Sequence, residues 1–417
     1  MEYATPDRRH RAMKKYLTVV ASFVIMLCIG GIYSWSIIAS ALMEDYQLSA
    51  IQSQIIFGVL IAILPVTMIF VAKIGSKINK KYIGYVSGIL FLLGYLLAGA
   101  SHGNFLLLFT GIGILSGVGT GFGYWLALTT PVMWFPFKKG LITGIAAAGF
   151  GLGAVLMSEF SEIILRQGYN VLELLKIIGI SYGIVILAFS NLIYTVQNDP
   201  TKIEAPAKLR QFMSAGIFKK LFAGVFLGTF AGLLIIGSLK IIGGQYDISE
   251  HILILGVALF AFANFSGRLI WGFLSDYLGA GLSIFLALLF QSLSIISLNV
   301  FQLSDSSYLI ISSLIGFGFG GNFVLFAKET AQVFGVNNLG LVYPYVLLGY
   351  SIAGIAGPLS GGLLYDLSHS YHSAIFLAAL VSLAGSLLFL IHVLSSTKNK
   401  KTAEKRESVE KSSSKTS

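Results

Sequence analysis

The chain alternates long apolar runs with short polar breaks, and most of the apolar runs reach about 20 residues. A helix rises about 1.5 Å per residue, so a run of that length crosses a hydrocarbon core about 30 Å thick. Twelve such helices are predicted. The first six are α1 over 16–42, α2 over 51–71, α3 over 83–100, α4 over 105–132, α5 over 141–165 and α6 over 174–196. The second six are α7 over 221–242, α8 over 252–273, α9 over 282–303, α10 over 308–333, α11 over 339–364 and α12 over 373–394. A polar stretch at 197–220 separates the two sets. The fold class expected is an all-α membrane protein of two six-helix bundles, 16–196 and 221–394, joined by a cytoplasmic linker. A basic tail is expected at 1–15. The stretch 395–417, dominated by Lys, Glu, Ser and Thr, is expected to be a disordered tail.

Composition agrees. Of 417 residues, 56% are hydrophobic and only 11% charged, with a mean hydropathy of +0.83. A soluble domain with so little charge would have nothing to place on its surface. The net charge of +10 does not point to nucleic acid, because its distribution follows the loops. Arg8, Arg9, Arg11, Lys14 and Lys15 precede α1; Lys73, Lys77, Lys80 and Lys81 follow α2; Lys202, Lys208 and Arg210 lie in the linker. The opposite loops carry Glu44, Asp45, Asp247, Glu250, His251 and Asp305, with Arg166 the exception. Basic loops stay on the cytoplasmic side. The expectation is a multi-pass plasma-membrane protein of the bacterial inner-membrane type, a monomer, with both termini cytoplasmic. The first run is too long, and too clearly followed by others, to be a cleaved signal peptide. Cys28 is the single cysteine, so no intrachain disulfide forms.

The halves echo each other. Gly117, Gly119 and Gly121 of α4 correspond to Gly316, Gly318 and Gly320 of α10 at a constant offset of 199 (316 − 117), which also places Tyr124 on Phe323. Gly75 after α2 matches Gly272 after α8. A six-helix unit repeated is the sequence sign of a transporter that rocks about a central site. The many small residues of α5, from Gly144 to Gly153, serve close helix packing, sliding of one bundle on the other, or both.

The sharpest single residue is Arg268, about a turn before the predicted end of α8. A guanidinium within hydrocarbon costs about 2.5–3.5 kcal/mol on insertion scales. It is kept either to pair with a buried acid or to hold something negative in a cavity. Asp276 lies eight residues on, about 12 Å along a helix, and the residue one turn earlier is the neutral Asn264. No other acid lies within α8, and the functional alternative is that the guanidinium holds a bound carboxylate, bidentately where geometry permits. Tyr33, Trp35, Tyr124, Trp125, Phe319, Phe323, Tyr343, Tyr345 and Tyr350 are aromatics on α1, α4, α10 and α11. They serve as packing and interface belt, or as the wall of a small dry pocket around one cation. Lys328 and Glu329, near the end of α10, are an interface lysine beside its neighbour, a gating ion pair or a second anion contact. Lys240 has the same alternatives. Glu159 and Glu162 are proton carriers or, more simply, interfacial and solvated. No metal-ligand spacing and no nucleophile–base set is visible, so neither an enzyme nor a cofactor is expected.

Gly31-Ile32-Tyr33-Ser34-Trp35, Trp134-Phe135-Pro136 through Gly140-Leu141, Ala148-Gly149-Phe150-Gly151-Leu152-Gly153, and Gly267-Arg268 through Trp271-Gly272-Phe273-Leu274-Ser275-Asp276 resemble the oxalate/formate antiporter family. That family belongs to the major facilitator superfamily and is related to the monocarboxylate transporters. The resemblance covers essentially all twelve helices. It implies alternating access, with a small carboxylate held by Arg268 and by Tyr33, Trp35, Tyr124, Phe319 and Phe323, and a proton or counter-anion as coupled partner. Three departures matter. Oxalate carriers of the family place a lysine on α11, where this chain has none between Gly340 and Ser351. Proton-coupled monocarboxylate transporters place an acid one turn before the arginine, where Asn264 stands. The superfamily's loop acid after α2 is replaced, since Gly75 is followed by Asn79 and Lys80, while the second copy keeps Gly272 and Asp276. These four residues, Gly75, Lys80, Gly272 and Asp276, are the candidate gate, and Lys328 is the candidate displaced second cation. The expected function is secondary transport of a monocarboxylate of the formate, lactate or pyruvate type. The alternative is export of larger, less polar compounds independent of Arg268.

Overall fold

The computed structural model describes residues 6–75, 78–135, 139–195, 206–335 and 338–413. Lys77, the Pro136–Lys138 part of the loop motif and Lys202 of the linker lie outside them. Twelve helices among the described residues are long and apolar enough to cross a membrane. They are α1 (Arg11–Tyr46), α2 (Ala50–Gly75), α3 (Lys80–Gly99), α4 (Phe105–Pro131), α5 (Ile145–Arg166), α6 (Val171–Ser190), α7 (Gly216–Gly243), α8 (Glu250–Leu278), α9 (Ala280–Val300), α10 (Asp305–Phe334), α11 (Val342–Ser368) and α12 (His372–Ser395). An even number of crossings leaves both termini on one face, here called proximal; the other face is distal.

Boundaries differ from expectation in two places. The linker is not irregular throughout: Pro206–Ser214 is a short helix and α7 already begins at Gly216. The last helix continues as backbone to Ser413 rather than giving way to disorder at 395. Lys, Glu and Ala in that stretch are good helix formers, which outweighs its lack of an apolar face.

Glycines set the packing. Gly117 approaches Leu60 of α2 and Gly119 approaches Phe91 and Ser87 of α3; their repeat partners Gly316 and Gly318 approach Phe260 of α8 and Gln291 of α9. The predicted repeat is thus a repeat of backbone contacts: α4 lies on α2 and α3 as α10 lies on α8 and α9. Between the bundles, α2 packs on α11 and α5 on α8. Gly354 of α11 faces Ile61 and Gly58 of α2, and Gly151 of α5 faces Phe265 of α8. Of the two roles expected for the α5 glycines, close packing is what the structure shows at Gly151, and Gly354 of α11 does the same.

Three helices are interrupted. α1 tightens into a 3-10 turn over Gly30–Ser34, then resumes at Trp35. Gly30 makes this possible by packing on the Phe150 backbone of α5, where a Cβ would come within 2.7 Å of the Phe150 Cα. A mid-helix 3-10 turn rotates the side chains that follow it, and Tyr33 lies within it. α4 carries a π-helical stretch over Phe109–Ser116. α11 breaks at Leu347, three residues past Pro344, which cannot donate a helix hydrogen bond.

Gly30→Val should overpack the α1–α5 contact and cost about 1–3 kcal/mol, lowering the thermal midpoint in detergent. Gly216→Ala, with nothing within 4 Å of the place its added methyl would take, should leave the midpoint unchanged or slightly raised.

Candidate functional site

α8 has one buried face and one outward face. Leu253, Val257, Phe260, Asn264, Arg268, Trp271 and Ser275 are buried, while Phe262, Leu269, Ile270, Phe273 and Tyr277 are exposed. The period near 3.6 therefore turns Arg268 inward. It is held there by backbone contact with α10. A Cβ on Gly320 would lie 3.1 Å from the Arg268 nitrogen, and one on Gly267 would lie 3.1 Å from the Phe317 Cα.

Arg268 is 8% exposed. Its Nε donates to Asn264 Oδ1 at 3.2 Å, one turn back on the same helix. Its guanidinium carbon lies 4.6 Å from the centroid of the Phe323 ring, over the negative face of the ring. No acidic side chain among the described residues forms an ion pair with it. Asp276, eight residues on along α8, is ion-paired with Lys328. A buried cation without a counter-charge is costly unless a ligand supplies one. The Asn264 Nδ2 is also buried without a partner, so a second donor stands beside the guanidinium.

The aromatics close around this pair. Phe323 meets Phe319 edge-to-face at 5.4 Å and Tyr350 at 5.4 Å. Tyr33 meets Phe319 at 5.8 Å and Phe150 at 5.6 Å, and Tyr124 meets Phe150 at 5.1 Å. The Tyr33 and Tyr350 hydroxyls are hydrogen-bonded at 3.0 Å, one from each bundle. Tyr343 donates to the Phe323 carbonyl at 3.0 Å, which fixes the α11 side of the wall against α10. Tyr33, Tyr124, Tyr343 and Tyr350 all lie within electrostatic range of the guanidinium. The arrangement offers a planar cationic fork and several neutral hydroxyls in a dry aromatic shell. Such a shell suits a single carboxylate with a small, weakly polar body.

Five of the expected residues, Arg268, Tyr33, Tyr124, Phe319 and Phe323, come together in this cluster. Trp35 does not. It stacks on Phe57 of α2 (6.3 Å, 4° between planes), because the turn at Gly30–Ser34 directs Tyr33 and Trp35 to different neighbours. Lys328 is not a second cation of this site either. Its Nζ donates to Ser275 Oγ at 2.9 Å and is ion-paired with Asp276, tying α10 to α8 near the proximal face. Of the alternatives open for it, an ion pair is what the structure shows, with Asp276 as the partner. Tyr350, Phe150 and Asn264 join the cluster without having been assigned to it. Tyr350 was visible only as one aromatic among several on α11, and Phe150 only as part of a glycine-rich motif.

The four candidate gate residues fall into two within-bundle groups. Lys80 is buried, donates to the Gly75 carbonyl at 2.7 Å at the C-terminus of α2, and lies 4.7 Å from the Trp125 ring. A cation there complements the helix dipole. Asn79, standing where the superfamily has an acid, caps α3 by accepting from the Lys81 amide at 3.0 Å. In the second copy Asp276 takes Lys328, while Gly272 lies against Val324. Near the distal face Glu159 is exposed, in line with an interfacial residue, whereas Glu162 is 5% exposed and not solvated. Of the alternatives for Lys240, an ion pair is what the structure shows: it is buried and paired with Glu250 at 2.5 Å.

A sequence model described as Major Facilitator Superfamily matches residues 18–346 and 221–416. An uncharacterized MFS-type transporter of Escherichia coli, YhjX, is 27% identical over 369 residues, covering 84% of this chain and 88% of its own. The oxalate:formate antiporter of Oxalobacter formigenes is 25% identical over 370 residues, 84% of each. The apicoplast pyruvate carrier 1 of Toxoplasma gondii is 25% identical over 58% of this chain and 57% of its own. Fungal efflux proteins match as well.

Tyr33→Phe and Tyr350→Phe should each lower stability by about 0.5–1.5 kcal/mol, and the double variant by no more than the larger single. Thermal unfolding of all four proteins checks this; additive losses would mean that the two hydroxyls act separately.

Proposed function

The chain belongs to the major facilitator superfamily, and we propose that it carries a small monocarboxylate, of the formate, lactate or pyruvate type, across the membrane by alternating access. The observation that supports this reading is Arg268: a buried guanidinium with no acidic partner among the described residues, an aromatic ring beneath it and an unpartnered amide donor beside it. A carboxylate neutralises that charge through paired N–H···O bonds, and the surrounding rings exclude the water that would compete. One cation matches one negative charge. With Lys328 committed to Asp276, nothing near Arg268 among the described residues balances the second charge of a dicarboxylate. The relatives named as an oxalate:formate antiporter and a pyruvate carrier support an organic anion as the class of cargo.

The site lies between the bundles. Tyr33 belongs to the first, while Arg268, Phe319, Phe323 and Tyr350 belong to the second, and a carboxylate held by Arg268 would draw the Tyr33 hydroxyl toward itself. Binding in that position favours closure of both bundles around the cargo, which is the step alternating access requires. Orientation follows the basic loops, with the proximal face in the cytoplasm.

Uptake of radiolabelled formate, lactate, pyruvate and oxalate into proteoliposomes tests the reading. Saturable uptake of a monocarboxylate is expected. Arg268→Gln should reduce apparent affinity roughly 10- to 150-fold, the equivalent of about 1.5–3 kcal/mol for a charged hydrogen bond, while the protein remains folded by circular dichroism. Equal uptake by both proteins would remove Arg268 from the site. Oxalate exchange that exceeds monocarboxylate uptake would show that a single cation suffices for a dianion.

A further inference from the structure

The hydrogen bonds that join the two bundles, among the described residues, lie at the level of Tyr33 or distal to it. Gln54 of α2 donates to the Gly237 carbonyl of α7 at 2.8 Å. The other two are latches at corresponding places in the repeat. α11 ends beside the start of α2, and Asp366 accepts from the Ala50 and Ile51 amides, both at 3.0 Å. α5 ends beside the start of α8, and Glu162 lies 2.7 Å from His251 Nδ1. In each, a carboxylate near the end of a glycine-rich helix in one bundle holds the first turn of a helix in the other. Backbone amides, the partners of Asp366, do not titrate. An imidazole does, between pH 5 and 8.

We propose that the Glu162–His251 pair is a proton-binding site of the carrier, and that proton uptake at His251 from the distal side closes the distal mouth. Glu162 is held in place by Arg166, one turn on, at 2.5 Å. The His251 side chain is 53% exposed, so protons reach it from the distal solution. On α8 the adjacent Glu250 is paired with Lys240 of α7, and the two charges offset each other. Glu44 and Asp45, at the end of α1, are exposed. Arg166 opposes a charged imidazole, but the carboxylate is its direct partner and the attraction prevails. When the mouth opens, α5 and α8 part and the imidazolium faces water instead of Glu162. Protonation therefore favours closure, and this contribution falls away as the pH rises. The proposal rests on the rocking of two bundles but not on the identity of the cargo, so its test uses no substrate.

Spin labels on cysteines in a Tyr169→Cys, Ser306→Cys, Cys28→Ser protein, reconstituted in lipid, report the width of the distal mouth by pulsed electron paramagnetic resonance. Both labelled positions are exposed. Between pH 5.5 and pH 8 the ratio of short to long distances should fall on the order of fivefold, the change an ion pair of about 1 kcal/mol supports. His251→Gln and Glu162→Gln should each flatten that dependence. Asp366→Asn should widen the mouth at both pH values and keep the slope. An unchanging wild-type ratio, or a slope that persists in either His251→Gln or Glu162→Gln, overturns the proposal. So does loss of the slope in Asp366→Asn, which would mean general loosening. A failure of the anion assignment, read by uptake, leaves these distances untouched.

Discussion

A guanidinium buried in a membrane protein must be compensated, and much of the centre of this structure is arranged around that constraint. Arg268 is kept from lipid by the inward face of α8 and from water by aromatic rings, and no acidic side chain among the described residues is paired with it. Asn264 takes one of its N–H groups and Phe323 offers the field of its ring. Neither is a full charge. In the proposed function the balancing charge arrives with the cargo, and the same deficit that makes a buried guanidinium costly supplies the affinity for a carboxylate.

Close backbone contact makes that arrangement possible. Gly267, Gly316 and Gly320 bring α8 and α10 together around Arg268, and Gly30 brings α1 onto α5. Because these contacts leave no room for a Cβ, each bundle is stiff where it meets the site. Between bundles the surfaces are small-residue faces with a few polar bonds, so the bundles can move as units. Stiff halves and a loosely bonded seam are what a rocking carrier requires.

The charged groups near the two faces do different jobs. Toward the proximal face, Lys80 with Gly75 and Lys328 with Asp276 are bonds within one bundle, preserved whatever the bundles do relative to each other. Toward the distal face, Asp366 and Glu162 reach across to the other bundle. Opening that face must break them. Their strength therefore enters the equilibrium between states directly, whereas the proximal pairs contribute to the stability of each half.

Twelve helices, the halves and the inward-facing arginine were legible in the sequence, because length, hydropathy and a residue's period along a helix are local quantities. So was the repeat: an offset of 199 between glycine triplets survives as matching helix contacts. Only the tertiary structure decided which aromatics reach Arg268. Trp35 and Tyr33 are two residues apart in the chain, yet the 3-10 turn sends one to Phe57 and the other to Tyr350. Lys328 likewise looked like a spare cation until α8 placed Asp276 against it. The pairing of Glu162 with His251 spans 89 residues and two bundles. No local pattern encodes such a contact, because it depends on where two helix ends meet after both halves have packed.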